Sequence, residues 1–172
     1  MVETAKYEVI LKEGDYEVRR YDRMLIATVK GTSDRFQRLF RYISGSNRSK
    51  SKIAMTSPVI SSEKVAMTSP VLSDSETMSF VVPSEYKMDT VPEPSDPYVS
   101  IEVVSERVLA TIRFSGFAWK DSVEKETNKL LGWIESKGYV LKGSPFLMQY
   151  NAPFVPGFMR RNEIGVEIDL KI

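Results

Sequence analysis

The sequence predicts an α+β fold in which two related halves each run strand, strand, helix, strand, strand. Three observations lead there. Alternation of apolar and polar side chains, the period of two that marks strands, recurs in short stretches throughout the chain. Two other stretches carry apolar residues at helical spacing, and each follows a strand closed by a glycine, Gly31 or Gly116. The segment Arg23-Met-Leu-Ile-Ala-Thr-Val29 is echoed by Arg107-Val-Leu-Ala-Thr-Ile112, the Ala-Thr step being offset by 83 residues. One internal repeat of this size implies a pseudo-twofold domain, because each half leaves a sheet face that the other must cover.

In the first half, about 6–82, residues 6–31 read as three strands. Tyr7, Val9 and Leu11 alternate, Gly14-Asp15 turns the chain, and Tyr16 to Tyr21 runs back. Asp22-Arg23 makes a corner before Met24 to Val29. Thr32 or Ser33 offers a helix N-cap, and Phe36, Leu39, Phe40 and Ile43 fall at i, i+3, i+4 and i+7, with Gly45 as the stop. Ser44 to Ser51 is polar and basic and reads as a mobile loop. The stretch Lys52-Ile-Ala-Met-Thr-Ser-Pro-Val59 then returns twelve residues later as Lys64-Val-Ala-Met-Thr-Ser-Pro-Val71. Both copies alternate like strands, and in both a proline without a ladder donor ends the pairing, so a hairpin through Ser61-Ser-Glu63 is expected. Thr77 to Val82 adds a strand with Met78, Phe80 and Val82 on one face.

Residues 83–97 carry four prolines and read as an extended connector between halves. The second half, 98–172, opens with Tyr98 to Val104, a corner at Ser105-Glu106, and the strand from Arg107. A helix begins near Asp121, with Glu124 at the capping-box position, carries Val123, Leu130, Leu131 and Ile134, and stops at Gly138. Tyr139 to Leu141 and Phe146 to Tyr150 are short strands. The last strand sets Ile164, Val166, Ile168, Leu170 and Ile172 against Glu163, Glu167, Asp169 and Lys171.

Composition narrows the chemistry. A chain of 172 residues with 42% apolar and 27% charged side chains fits one globular domain, 1–172. A net charge of +1, with no binding module, gives no pull towards nucleic acid. With neither Cys nor His, the sequence holds no disulfide, thiolate metal site, Ser-His-Asp triad or histidine haem ligand. Ser61-Ser-Glu-Lys64 fits Ser-x-x-Lys formally, but its companion motifs are absent. No base or nucleophile stands out, so a binding protein is expected rather than an enzyme. No stretch approaches the ~20 apolar residues of a membrane span and the N-terminus lacks an apolar leader, so a cytoplasmic protein is expected.

Several of these segments resemble the SOUL haem-binding family: the twin Lys-(Ile/Val)-Ala-Met-Thr-Ser-Pro-Val stretches, Phe80-Val-Val-Pro83, Pro92-Glu-Pro94, Phe114-Ser-Gly116, Tyr150-Asn-Ala-Pro153 and Arg161-Asn-Glu-Ile164. The resemblance runs from about Tyr7 to Leu170. It implies a distorted antiparallel β-barrel built from the two halves, with two helices packed outside, an architecture shared with the gyrase-inhibitor-like effector-binding domains. It also implies binding of haem or another tetrapyrrole. One branch of the family has a histidine ligand directly before a tyrosine of the second strand, where this chain has Arg20, so that ligand does not carry over. The other branch holds the porphyrin against the apolar face of the first helix. Its helix Met corresponds to Phe36 and its helix Lys to Arg41, and a Lys of its C-terminal loop falls near Val155, where the charge is lost.

A haem site needs a flat apolar slot and cations for two propionates. Phe36, Leu39 and Phe40 can form one wall, with Met55 and the Phe154-Val-Pro-Gly-Phe158 loop as the other. Arg35, Arg38 and Arg41 recur every third residue and fan around the helix, and a guanidinium fork suits carboxylates. The plainer alternative has the apolar residues facing the sheet and the arginines in solvent. Met and Tyr remain as axial donors, so a weakly ligated or unligated haem is expected. A second ligand class is an amphipathic cation, with Glu163 as inward counter-charge in the manner of the effector-binding relatives. For Glu163 itself the sequence favours a surface pair with Arg160 or Arg161.

Overall fold

The computed structural model describes residues 3–50, 62–152 and 154–170. The first twin segment, with Met55, lies outside the described residues, and so does the expected hairpin between the copies. Strands β1 (Glu3–Thr4), β2 (Tyr7–Glu13), β3 (Tyr16–Tyr21) and β4 (Met24–Lys30) precede helix α1 (Arg35–Ile43). Then come β5 (Asn47–Arg48), β6 (Thr68–Ser73), β7 (Thr77–Val81), β8 (Glu93–Pro94), β9 (Val99–Val104) and β10 (Arg107–Phe114). Helix α2 (Lys120–Lys137), β11 (Val140–Leu141), β12 (Phe146–Gln149), a 3-10 turn at Gly157–Met159 and β13 (Asn162–Asp169) follow.

Among the described residues the long strands form one sheet in the order β2-β3-β10-β13-β12-β6-β7-β4-β9, every neighbour antiparallel. β1 joins β6 in parallel, and β11 joins β13. The sheet is open: β2 and β9 end the path with one partner each. The closed barrel implied by the family resemblance is therefore not formed. At the corner Ser105-Glu106 the chain crosses from β9, laddered on β4, to β10, laddered on β3 and β13, without pairing the two.

Cross-strand register sets the two faces, since directly opposed residues share a side. One row runs Val29, Met78, Ser73, Leu147, Ile164, Ile112, Tyr16. Helix α1 packs at the Val29 end, where Leu39, Tyr42 and Ile43 meet Leu25, Ala27 and Phe80. Helix α2 packs at the other, where Leu130 and Ile134 meet Val18, Ala110 and Val166. Both helices thus cover one face. The adjacent row, Thr28, Ser79, Leu72, Met148, Glu163, Arg113, looks the other way, into a trough lined by Tyr21, Leu109 and Met148.

Several local expectations change. Pro70 does not end a strand. It sits within β6, where the register against β7 shifts between Thr68 and Val71, and a bulge is a position at which a missing donor is tolerated. Residues 44–50 are tied down: Asn47 is buried, donates to the carbonyls of Tyr42 (2.7 Å) and Glu63 (2.8 Å), and pairs with Pro94. The proline-rich connector packs on the domain through fully buried Val91 and the Tyr42 hydroxyl, which donates to the Pro92 carbonyl at 2.7 Å.

Gly138 ends α2 as expected, in the left-handed conformation at φ 72° with nothing within 4 Å of an added Cβ. Gly138→Ala is expected to cost about 1 kcal/mol through backbone strain alone, read as a melting temperature lower by roughly 2–4 °C.

Candidate functional site

Helix α1 splits its apolar stripe. Its N-cap is Asp34 rather than Thr32 or Ser33, and that carboxylate accepts from Arg38 Nε (2.9 Å) instead of capping a backbone amide. Leu39 is wholly buried in the core, so it supports the helix from beneath and is not part of a ligand-facing wall. Phe36 and Phe40, on one edge of the stripe, stay 40% and 51% exposed. Their rings stack at 6.1 Å and 14°, and Phe36 rests edge-on against buried Phe80 at 5.5 Å. The result is a flat apolar platform one helical turn long.

The helix cations differ in availability. Arg38 is held on the far flank by Asp34 and by Asp96 (2.7 Å), with its guanidinium 4.5 Å over the Tyr98 ring. Arg41 lies one residue, about 100°, beyond Phe40 around the helix. It is exposed and makes no ion pair among the described residues. Phe154 is 87% exposed, in a loop that also presents Phe158 and Met159. That loop is fastened by the Gly116 amide donating to Gly157 O (2.8 Å) and by Phe117 packed so tightly on Gly157 that a Cβ there would lie 2.9 Å from its ring. A cross-strand row, Phe80, Val71, Gln149, Asn162, Phe114, crosses the helix-bearing face between the two places. It covers four strand spacings, about 19 Å, and ends where Asn162 Nδ2 donates to Gly116 O at 2.7 Å.

The opposite face holds a buried charge cluster. Arg19 donates in a fork to both Glu163 oxygens, Nη1 to Oε1 at 2.7 Å and Nη2 to Oε2 at 2.6 Å. Arg161 donates to Oε2 from Nε (3.1 Å) and Nη2 (3.0 Å), and the Tyr150 hydroxyl donates to Oε1 at 2.7 Å. Arg19 also reaches Glu17 (2.6 Å) and the Tyr21 hydroxyl (2.9 Å). Glu163 is 0% exposed and Arg19 2%, so the surface pair favoured from sequence is corrected to a buried one. Burial pushes the Glu163 carboxyl up, but hydrogen bonds and charge from Arg19 prevail and hold it below its ordinary value. Burial likewise drives the Tyr150 phenol upward, so it stays a donor.

The SOUL heme-binding protein family model matches residues 2–167. The chain belongs to this family. It is 29% identical to heme-binding protein 2 of Mus musculus over 150 residues, 82% of this chain and 72% of that protein. It is 29% identical to heme-binding protein 2 of Homo sapiens over 160 residues, 88% and 77% respectively. Among solved structures it is similar to the EcmrR C-terminal domain, with a TM-score of 0.60 at 12% identity over 95% of this chain and 98% of that one. A hydrolase from Listeria innocua gives a TM-score of 0.59 at 9% identity, over 93% and 94%. At such identities the structural likeness speaks for the fold alone.

In this SOUL protein, Arg20 is a half-exposed side chain 4.0 Å from Glu8 and 3.8 Å from Glu106, at the rim of the sheet. The structure brings together Phe36 and Phe40 on one helix edge, with Leu39 beneath, and sets Arg41 about 100° further round, within the field of Asp96. It puts Glu163 on the opposite face of the sheet and leaves Arg38 occupied by acids. Arg19, Tyr21 and Tyr150 escaped sequence reasoning. The available signal was Glu17, Arg19 and Tyr21 at alternate positions of β3, a polar row on a single face.

Proposed function

We propose that this SOUL protein binds haem or a related tetrapyrrole against the first helix, as a carrier or buffer rather than an enzyme, without a histidine ligand. The observation that carries this is the exposed, stacked Phe36–Phe40 pair, with exposed Arg41 about 100° further round the helix. Such a platform stacks on a planar macrocycle through dispersion and apolar burial, and the neighbouring guanidinium suits a propionate. Phe154 belongs to a loop four strand spacings away, so the platform stands without it, and the two relatives named heme-binding protein support the reading. The cationic-effector alternative loses its anchor, since the Glu163 carboxylate already faces two guanidinium groups.

We also read residues 1–172 as one domain of two halves, about 6–82 and 98–172, joined by 83–97. In support, exchanging β3, β4, β6 and β7 with β9, β10, β12 and β13 leaves the strand order from β3 to β9 unchanged on reversal.

The test is titration of haemin and of iron-free protoporphyrin into the purified protein. Saturable Soret changes are expected for both, at comparable affinity, because the macrocycle and propionates supply the binding and no imidazole holds the iron. An unchanged haemin spectrum would sink the proposal. Binding of haemin alone would replace the unligated site by one with an axial donor from the chain.

A further inference from the structure

The trough on the face away from the helices contains two arginines in contrasting states, Arg19 buried and Arg107 half-buried. Arg19 has two carboxylates and a phenol around it. Arg107, at the start of β10, lies opposite Tyr21 on the same face, yet its Nε is buried with no hydrogen-bond partner among the described residues. Its contacts are the Phe146 ring, 5.2 Å from the guanidinium carbon, and the more distant field of Glu167, which already lies 3.9 Å from Lys142. Burial pushes this guanidinium below its ordinary value, although not far enough to remove its charge. A guanidinium that is half-buried, with a buried Nε–H lacking an acceptor, carries a desolvation cost that an anion admitted from outside would offset.

Space for one adjoins it. A cavity of about 150 Å³ opens beside Arg107, with Ile26, Leu72, Val104 and Phe146 as apolar wall and Thr77 at its rim. Asp74 also borders it, but its Oδ1 is turned to the amides of Glu76 (2.9 Å) and Thr77 (2.8 Å). An apolar cavity of roughly 150 Å³ holds a single benzene-sized body, which sets the scale of the guest.

We propose that this cavity is a second ligand site, for a small aromatic monocarboxylate, its carboxylate on the Arg107 fork and its ring against Phe146, Leu72, Ile26 and Val104. The site lies on the opposite side of the sheet from the α1 platform, so it stands or falls independently of tetrapyrrole binding.

Benzoate, neutral benzamide and cationic benzylamine, each titrated into the ¹⁵N-labelled full chain, test it through the arginine Nε–H signals. Saturable movement of the Arg107 signal with benzoate is expected, benzamide binding about tenfold or more weakly because the charge-assisted bond is lost and benzylamine not at all. Arg107→Met should abolish saturation while leaving the apo protein at least as resistant to heat, since a buried Nε–H without an acceptor has gone. Val104→Phe keeps the guanidinium but fills the cavity, and should also abolish it. Linear, unsaturated shifts (general anion association only), equal binding of benzamide, or undiminished benzoate affinity in either variant would overturn the site. Should Arg107→Met fail to fold, Val104→Phe decides alone.

Discussion

Glu163→Gln is expected to lower the unfolding free energy by up to about 3–5 kcal/mol, the cost of removing one partner of a buried ion pair, with Glu17, 2.6 Å from Arg19, left as that arginine's remaining carboxylate. Melting should fall by up to roughly 6–20 °C for a chain of this size. The neutral amide keeps the volume but leaves Arg19, 2% exposed, without its bidentate partner and beside Arg161. Adding Arg19→Met should recover a substantial part, because the deepest cation then disappears and Arg161, 26% exposed, can turn to water. The same carboxylate sets an acid limb. Its folded value is held below the ordinary 4.5, so its contribution is complete above that value and drains away as pH falls through the lower, folded one. Denaturant midpoints measured from neutral pH down to about pH 3 should therefore decline in the wild type and much less in Glu163→Gln. Wild-type stability in the variant would show that the cluster contributes little.

Much of this architecture was legible because burial writes a period into the chain. Ile164, Val166 and Ile168 announced β13, and Leu39 with Ile43 announced α1. What period alone conceals is where hydrogen bonding stops and which side of a curled sheet is inside. The alternation in β2 and β9 is the same whether or not their outer edges find partners, so an open sheet and a closed barrel look alike in sequence. Glu17, Arg19 and Tyr21 carry no mark of burial in sequence, because charged residues are rarely interior unless paired. Only with β13 and β12 curled beside them do Glu163 and Tyr150 arrive to satisfy Arg19. Similarly, Phe36, Leu39 and Phe40 form one stripe in sequence, and packing on β4 and β7 divides it into a buried centre and an exposed edge. Capping misled for a local reason: α2 begins at Lys120 behind Trp119, one residue before the expected Asp121, with no side-chain cap. Nothing in Asp121 to Glu124 forbids the extra residue.

Phe40→Asp should weaken haemin binding by about 10–100-fold, the equivalent of losing ~1.5–3 kcal/mol of apolar burial, and further as the new carboxylate meets the propionates. Phe40 is the residue to change because its ring is 51% exposed and stacks on Phe36, whereas Phe36 also braces buried Phe80. Replacing it should therefore shift unfolding by no more than about 0.5 kcal/mol, as for most surface positions, so that lost binding cannot be mistaken for lost fold. Arg41→Glu is the companion. Its effect should be smaller and should shrink further in high salt, because an exposed charge is screened over about 8–10 Å, while the Phe40 effect persists. Soret titrations at low and high ionic strength, each paired with a thermal melt, separate the two contributions. If Phe40→Asp binds haemin as tightly as the parent chain, the macrocycle rests elsewhere on the protein. If both variants lose binding equally at high salt, the cation and the ring act as one unit and the apolar platform is not the main anchor.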